Sequence, residues 1–161
     1  MLVTDLDDDG DSEIIVTAPG YDDPSGTSNV GQVYVLHGGY SYAGGVTIDS
    51  EAVASIAGVA TGDQLGIGLT VGDYDADGDF DLYVVNQTWR SALWRNDLDT
   101  KTFVDVASQS GVENQGSGTG CAFGDYDNDG DLDLMTGNLL WSPKETDNPL
   151  DSRRAPMEAA A

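Results

Sequence analysis

The sequence predicts an all-β protein made of short strands joined by tight turns. Glycine is abundant, with 21 residues among 161, and aromatic residues make up only 8% of the chain. Segments rich in β-branched and aromatic residues, such as residues 14–16 and 82–85, directly follow turns rich in glycine and aspartate. This arrangement is typical of strands. Many short strands with glycine-rich turns favour a β-sheet protein over a helical one.

The turn before these strands is an aspartate-rich loop that occurs three times. It reads DLDDDGDSE at residues 5–13 (loop 1), DYDADGDFD at residues 73–81 (loop 2) and DYDNDGDLD at residues 125–133 (loop 3). Counted from the first aspartate, each loop has acids at positions 1, 3, 5 and 9 and glycine at position 6. Oxygen ligands on alternate residues suit a hard divalent cation, above all calcium, which accepts six to eight oxygens. Glycine supplies the turn because it enters positive-φ conformations without steric cost.

An EF-hand is the first alternative for these loops. It places a bidentate glutamate at position 12 and flanks the loop with helices. Position 12 is Val16, Val84 and Thr136 here, and the acid stands at position 9 instead. The loops are therefore predicted to join two strands of a hairpin. Magnesium suits a crowded carboxylate loop less well because it demands a near-ideal octahedron. Transition metals are disfavoured because the loops offer no imidazole or thiolate.

The net charge argues against nucleic acid as a partner and supports a cation. The formal net charge is −23, and 16 of the 29 acidic residues lie in the three loops, where their repulsion opposes folding unless a cation is bound. Nucleic-acid binding is disfavoured because phosphates need Lys and Arg. No apolar run approaches the roughly 18 residues of a membrane span. No leader segment is visible, and the chain is expected to begin inside a repeat.

The three loops belong to a larger repeat. Sliding the chain by 52 residues superposes residues 68–86 on residues 120–138 with 11 of 19 positions identical, whereas loop 1 lies 68 residues before loop 2. Unequal spacing with matching signatures indicates one supersecondary unit with variable connections, as in a propeller or a solenoid.

Each unit is predicted to contain four short strands. The predicted strands are 2–4, 14–17, 32–36 and 52–56 in the first unit, 67–71, 82–86, 92–95 and 102–106 in the second, and 121–123, 133–136 and optionally 139–141 in the third. The second strand of each unit is apolar enough to be covered on both faces. The units are predicted at residues 1–58, 59–112 and 113–143, followed by a disordered or non-native tail at residues 144–161.

Several strings resemble a known repeat family. GDQLG at residues 62–66, followed by a strand and loop 2, resembles the FG-GAP repeat of integrin α-subunit β-propellers, with Leu65-Gly66 in the Phe-Gly slot. TAPG at residues 17–20 resembles the Gly-Ala-Pro slot of the same repeat. ALWRN at residues 92–96 and FVDV at residues 103–106 are similar to the VCBS-type relatives of that repeat.

The resemblance implies β-propeller-type blades of four antiparallel strands, here two blades plus a partial third, which cannot close a ring from one chain. It implies a calcium-binding segment of an extracellular or cell-surface protein with a structural or adhesive role. The alternative is a non-catalytic propeller portion of a larger secreted polysaccharide-active enzyme. The expected partners are calcium and either further copies of the chain or further blades, and a protein or glycan ligand is left open.

The resemblance also implies the metal ligands, with about three calcium ions in all, one per loop. Side-chain oxygens would come from positions 1, 3, 5 and 9 and a backbone carbonyl from position 7. These residues are Asp5, Asp7, Asp9, Asp11 and Glu13 in loop 1; Asp73, Asp75, Asp77, Asp79 and Asp81 in loop 2; and Asp125, Asp127, Asp129, Asp131 and Asp133 in loop 3. Loop 1 is expected to bind most weakly because only four residues precede it and these can fray.

Catalysis is not expected. His37 is the only histidine, it stands at the end of a predicted strand, and no Gly-x-Ser-x-Gly nucleophile motif occurs. Cys121, the only cysteine, is expected to be a small core residue.

Four aromatic residues could stack on sugar rings, although Trp94 is expected to pack in the core. They are Trp89, Trp94, Tyr40 and Tyr42. Residues 86–88 (NQT) form a glycosylation sequon, which is too common by chance to decide anything.

The ends of the stacked units are predicted to promote association. Apolar strand residues at these ends lack a covering blade, and exposed apolar patches usually seek a partner. The residues are Ile14, Val16, Leu132 and Leu134.

Overall fold

The computed structural model describes residues 1–39, 47–98, 100 and 102–139. Within these residues the chain forms ten strands and one four-residue helix. In chain order the elements are β1 Leu2–Thr4, β2 Glu13–Ala18, β3 Gln32–Leu36, α1 Ile48–Glu51, β4 Ala52–Ala57, β5 Gly68–Gly72, β6 Asp81–Val85, β7 Ala92–Asp97, β8 Thr102–Asp105, β9 Ser117–Gly124 and β10 Asp133–Leu139. The predicted all-β class is confirmed.

The strands form three antiparallel sheets. The first sheet has the order β1-β2-β3-β4, the second β5-β6-β7-β8, and the third pairs β9 with β10. Two four-stranded blades and a partial third are thus confirmed, and the described strands close no ring. Each of the three acidic loops connects the first two strands of its sheet, as predicted for a hairpin. The proposed unit boundaries after residues 58, 112 and 143 stay predictions.

Two details of the strand prediction were wrong. Strand β9 begins at Ser117, four residues before the predicted start, because it pairs with β10 along the whole length of that strand. Leu139 is the last residue of β10 and not the start of a further strand. A register shift between Gly137 and Asn138 lets the pairing continue to Ser117. Residues 140 and 141 lie outside the described residues, as does the predicted tail at residues 144–161.

The helix was not predicted. Helix α1 lies in the connection before β4 and buries none of its residues. Among the described residues, no helix is long and apolar enough to cross a membrane.

Two hydrophobic clusters hold the three sheets together. The first cluster lies between the first and second sheets and includes Ile15 and Val33 from one side and Leu82 and Val84 from the other. The second cluster packs Tyr83, Val85 and Leu93 of the second sheet against residues of the third. All five residues of β6 are buried, as predicted for a strand covered on both faces. The same prediction is wrong for β10, which is mostly exposed, and no sheet covers its outer side among the residues that the structure describes.

Glycine lets the second and third sheets approach closely. A Cβ atom on Gly68 of β5 would lie 2.8 Å from the Cα atom of Gly120 in β9, closer than real Cβ contacts allow. These two glycines occupy equivalent positions in the 52-residue repeat. A side chain at Gly68 would therefore push the two sheets apart.

The outer faces of the stack differ from the prediction in part. Leu134 of β10 packs against the second cluster and is not an uncovered residue. Met135, its neighbour on the opposite face, is 56% exposed. On the first sheet, Ile14 and Val16 point away from the first cluster and are half-buried, as the alternation with the buried Ile15 requires.

Candidate metal centres

All three loops share one backbone conformation. Position 6 is glycine with φ of 94° at Gly10 and 99° at Gly78 and Gly130. Position 4 also has positive φ, 54° at Asp8, 59° at Ala76 and 62° at Asn128. Two left-handed residues separated by one ordinary residue fold the loop into a tight double turn. The sequence predicted the turn at position 6 but not the one at position 4.

Aspartates inside the loops hold this conformation. The position 1 carboxylate accepts a hydrogen bond from the position 6 amide at 3.0, 3.1 and 3.2 Å in loops 1, 2 and 3. The position 5 carboxylate accepts one from the position 7 amide at 2.8, 3.0 and 3.0 Å. The loops are thus shaped by their own side chains.

The acid at position 9 fastens the loop to its sheet. One oxygen accepts a hydrogen bond from the position 2 amide, at 2.8 Å for Glu13 and Asp81 and 2.7 Å for Asp133. In loops 1 and 2 the other oxygen accepts an amide from the region of the third strand, Gly38 at 3.1 Å and Asn96 at 2.8 Å. Glu13 is accordingly 3% exposed and Asp81 fully buried.

Three acids of each loop come together as a possible ligand set. Positions 1, 3 and 9 each offer an oxygen, and in every loop these oxygens lie within 4.8 Å of one another. The sets are Asp5, Asp7 and Glu13; Asp73, Asp75 and Asp81; and Asp125, Asp127 and Asp133. Positions 5 and 7 lie outside these sets. Ligation by Asp9, Asp77 and Asp129, and by the carbonyls of Asp11, Asp79 and Asp131, stays a prediction.

The chemistry of the set fits a hard cation. Every donor is a carboxylate oxygen, the ligand type that calcium prefers. In loop 1 Oδ1 of Asp5 is buried and accepts no hydrogen bond from any residue that the structure describes. A buried carboxylate oxygen without a partner is costly unless a cation compensates it.

Two acids in loop 2 have raised pKa values, chiefly because they are desolvated. Burial raises the pKa of Asp81 to about 6, with further increases from the charges of Asp75 and Asp77, although the bonds from the amides of Tyr74 and Asn96 oppose the shift. The pKa of Asp75 is raised by desolvation and then by Asp77, against the opposing effect of Arg95.

The pKa of Asp127 in loop 3 is also raised, first by desolvation and then by Asp129. In loops 2 and 3, the described acids thus resist carrying all their charges at once. A bound divalent cation would remove this repulsion.

Asn96 is a site residue whose role the sequence did not predict. Besides its amide bond to Asp81, its side-chain Nδ2 donates to the backbone carbonyl of Leu6 in loop 1 at 2.8 Å. Asn96 is buried and belongs to β7. It therefore connects loop 2 of the second sheet to loop 1 of the first sheet.

The other candidate residues are not members of the clustered ligand sets. His37 is 4.0 Å from Glu13 through Nδ1, at the edge of loop 1. Cys121 packs against the second cluster, and burial raises its pKa to about 12, as expected of a core thiol. Asn86 is buried, and its Nδ2, the atom that glycosylation would modify, donates to the carbonyl of Arg90 at 2.8 Å. Tyr40 and Tyr42 lie outside the described residues.

The fold and the loops together define a class, a repeat protein of stacked antiparallel sheets with an acidic loop in the first hairpin of each. Comparison with known families assigns it: residues 1–36 match the FG-GAP repeat and residues 73–136 match the FG-GAP-like repeat. The chain is an FG-GAP repeat protein, as the sequence resemblance implied. A relative, mouse (Mus musculus) phosphatidylinositol-glycan-specific phospholipase D, is 32% identical over 84 residues. The match covers 52% of this chain but only 10% of that relative.

Proposed function

We propose that the chain is a calcium-binding β-propeller segment of an extracellular or cell-surface protein, where it serves as a structural or adhesive scaffold without catalytic activity. The observation that carries this proposal is the threefold recurrence of one loop geometry with three clustered carboxylates. Random surface acids do not repeat a backbone conformation and a hydrogen-bond pattern. FG-GAP repeats, which the chain contains, often bind calcium and are typical of extracellular and cell-surface proteins.

Calcium is favoured over magnesium by the flexibility of the ligand set. The three loops differ at positions 2, 4 and 8, in the acid at position 9 and in burial, so a cation with an adaptable shell fits all of them better than one that requires an octahedron. Extracellular calcium modules are tuned to roughly 10⁻⁴–10⁻³ M calcium, which suits partly exposed loops such as loop 3.

Calorimetric titration with calcium tests the proposal directly. We expect about three ions per chain, and a thermal midpoint that falls when EGTA removes them. A site that is occupied at a hundredfold excess over its Kd adds about 2.7 kcal/mol to the free energy of unfolding. An unchanged midpoint in EGTA at low ionic strength would refute the proposal.

A matched pair of variants separates ligation from charge. Asp7→Asn removes a clustered acid at position 3, whereas Asp8→Asn removes the adjacent acid at position 4, which lies outside the cluster. Asn is tolerated at position 4 because Asn128 has the same conformation in loop 3. We expect Asp7→Asn to weaken calcium binding at loop 1 and Asp8→Asn to leave it nearly unchanged, and equal loss in both variants would indicate nonspecific charge screening.

The outer faces of the stack support association with further blades or further copies of the chain. Met135 and Leu139 of β10 and Val3 of β1 are exposed apolar residues on strands. Repeat units that cannot cover their faces alone gain stability by stacking. Light scattering in millimolar calcium tests this part of the proposal, and a stable monomer at high concentration would contradict it.

The second candidate function is a non-catalytic portion of a larger secreted enzyme. The observation that favours it is the similarity to an enzyme, the phospholipase. The stretch that matches this chain makes up only a tenth of that enzyme. The sequence of the complete gene would distinguish the two functions, since a catalytic domain encoded beside these repeats supports the second. That catalytic domain would then show whether the enzyme acts on polysaccharide or on another substrate.

A further inference from the structure

A cavity between the first two sheets contains chemistry that the metal loops do not use. It measures about 140 Å³ and lies between Ile56 of β4 on one side and Trp94 of β7 and Asp105 of β8 on the other. Asn86 and Trp89, from the connection between β6 and β7, also line it. None of its described lining residues belongs to the three loops.

Two buried polar groups of this lining lack partners. Asn86 is 6% exposed, and its Oδ1 accepts no hydrogen bond within the described parts of the chain. The Nε1–H group of Trp94 is also buried and donates no hydrogen bond to any described residue. Buried polar groups are ordinarily paired, so an orphaned acceptor and an orphaned donor on one cavity need an explanation. A hydroxyl group can satisfy both because it donates one hydrogen bond and accepts others.

The opening of the cavity adds an apolar platform. The Trp89 side chain is 52% exposed at the rim, beside the exposed Val59. An exposed indole next to a polar cavity offers a flat surface to the C–H face of a ring that also carries hydroxyl groups.

The charges at the cavity favour a neutral ligand. Arg90 is the one cationic residue among the described lining residues, and its guanidinium is paired with Glu113. Asp105 and Glu113 contribute carboxylates to the lining. A phosphate or carboxylate ligand would meet these acids without an unengaged cation, whereas the same carboxylates can accept hydrogen bonds from hydroxyl groups.

We propose that this cavity binds a neutral saccharide unit of a glycan. The sugar ring stacks on Trp89, and one of its hydroxyl groups accepts a hydrogen bond from Nε1 of Trp94 and donates one to Oδ1 of Asn86. This site goes beyond the scaffold role and does not depend on it, since the cavity and the loops share no described residue.

The test is saturation-transfer NMR and tryptophan fluorescence with a panel of methyl glycosides, on the full chain in saturating calcium. The panel contains the methyl glycosides of glucose, galactose, mannose, fucose and N-acetylglucosamine. We expect at least one glycoside to bind and to change the tryptophan fluorescence. Calcium binding is measured separately by calorimetry, so failure of the saccharide site and failure of the metal sites give different results.

Variants at the two tryptophans sharpen the test. Trp94→Phe keeps an aromatic ring but removes the orphaned donor, so glycoside affinity should fall about five- to tenfold. Trp89→Ala should abolish binding, and Trp89→Phe should restore part of it because a ring remains to stack. Val53→Ala, an exposed apolar position on β4 outside the cavity, is the control that leaves binding unchanged.

Three results would overturn the proposal. In the first, no glycoside binds, and the orphaned groups are satisfied by ordered water alone. In the second, a glycoside binds but neither Trp94→Phe nor Trp89→Ala weakens it, which places binding elsewhere. In the third, a hexapeptide rich in aromatic residues binds through Trp89 and no glycoside binds, which makes the cavity a peptide site.

Discussion

Loops 2 and 3 are nearly the same sequence in different surroundings. Both begin with Asp-Tyr-Asp and repeat the same acids, yet Asp81 of loop 2 is fully buried and Asp133 of loop 3 is half-buried. Asp81 receives a second amide bond from Asn96 in β7, whereas the described part of the third sheet ends with β10 and supplies no such amide to Asp133. Seven shared residues out of nine therefore form a sheet-anchored loop in one place and a surface loop in the other.

The largest expected difference concerns the acids at position 9. Asp81→Ala would leave two buried or half-buried amides, those of Tyr74 and Asn96, without an acceptor, and we expect it to lower the free energy of unfolding by about 2–5 kcal/mol. Asp133→Ala would free one exposed amide and should cost about 1 kcal/mol. Urea unfolding in saturating calcium measures both, and because each variant also loses one metal ligand, the difference between them reports the anchoring. Equal losses would contradict the comparison.

The link between neighbouring loops should have the next largest effect. Asn96→Ala keeps the amide bond to Asp81 but leaves the buried Leu6 carbonyl without its side-chain donor, at an expected cost of about 1–3 kcal/mol. Calcium binding at loop 1 should weaken as well, although the substitution lies in the second sheet. Asn138→Ala on β10, whose side chain pairs with that of Asn114 at the surface and not with a loop, is the control and should leave the calcium affinity of loop 1 unchanged. A loop 1 affinity that is indifferent to Asn96 would show that the two loops act independently.

The raised pKa of Asp81 predicts a pH dependence for loop 2. Without metal, the folded chain holds this proton more tightly than the unfolded chain, whose Asp pKa is near 3.9. The resulting stabilisation is present at low pH and is lost as pH rises through about 6.

Calcium favours the ionised acid, so its binding at loop 2 should release a proton below pH 6 and weaken about tenfold per pH unit there. Calorimetry at pH 5 in buffers of different ionisation enthalpy counts the protons, and in Asp81→Asn this release should disappear. A wild-type count of zero at pH 5 would mean that the acid is already ionised.

The calcium affinities of the loops should follow their anchoring. The sequence favoured loop 1 as the weakest site, but β1 pairs with β2 over three residues and Glu13 is anchored on both oxygens. We therefore expect loop 3 to bind about tenfold more weakly than loop 2, since an unanchored ligand set loses more freedom on binding. Titration of Asp75→Asn against Asp127→Asn checks this order: the first should lose a tighter site than the second does.

The smallest expected effect concerns position 4. Ala76 has φ of 59°, a left-handed conformation that costs an ordinary residue about 1–2 kcal/mol, whereas Asn tolerates it better. Ala76→Asn should therefore raise the thermal midpoint by about 2–4 °C, and Asn128→Ala should lower it by a similar amount. Shifts in the same direction for both variants would show that the two loops do not share this constraint.

Much of the architecture could be predicted from the repeat itself. Strands β5 to β8 and the hairpin position of every loop follow from patterns within a few residues, because alternating burial and glycine turns are local properties. The positive φ at Ala76 could not be predicted, since alanine gives no signal for it. It is imposed by the closure of the loop.

Contacts between units were harder to predict because they depend on how the sheets stack. The sequence placed Leu134 on an uncovered face, but the second cluster covers it. Asn96 appeared only as part of a family string, and its bond to the Leu6 carbonyl, 90 residues away, has no local signature. Among the candidate ligands, the acids at positions 1, 3 and 9 lie close together only because the loop closes in this way, which no single residue of the sequence indicates.

The Asn96 side chain also bears on how the protein would respond to force. When a repeat segment is pulled from its ends, sheets joined only by apolar packing can separate one after another. The bond from Asn96 to the backbone of loop 1 fastens the second sheet to the first at a point where calcium would stiffen both loops. Tension on one sheet would then be shared with the next, and the pair would yield as one mechanical unit.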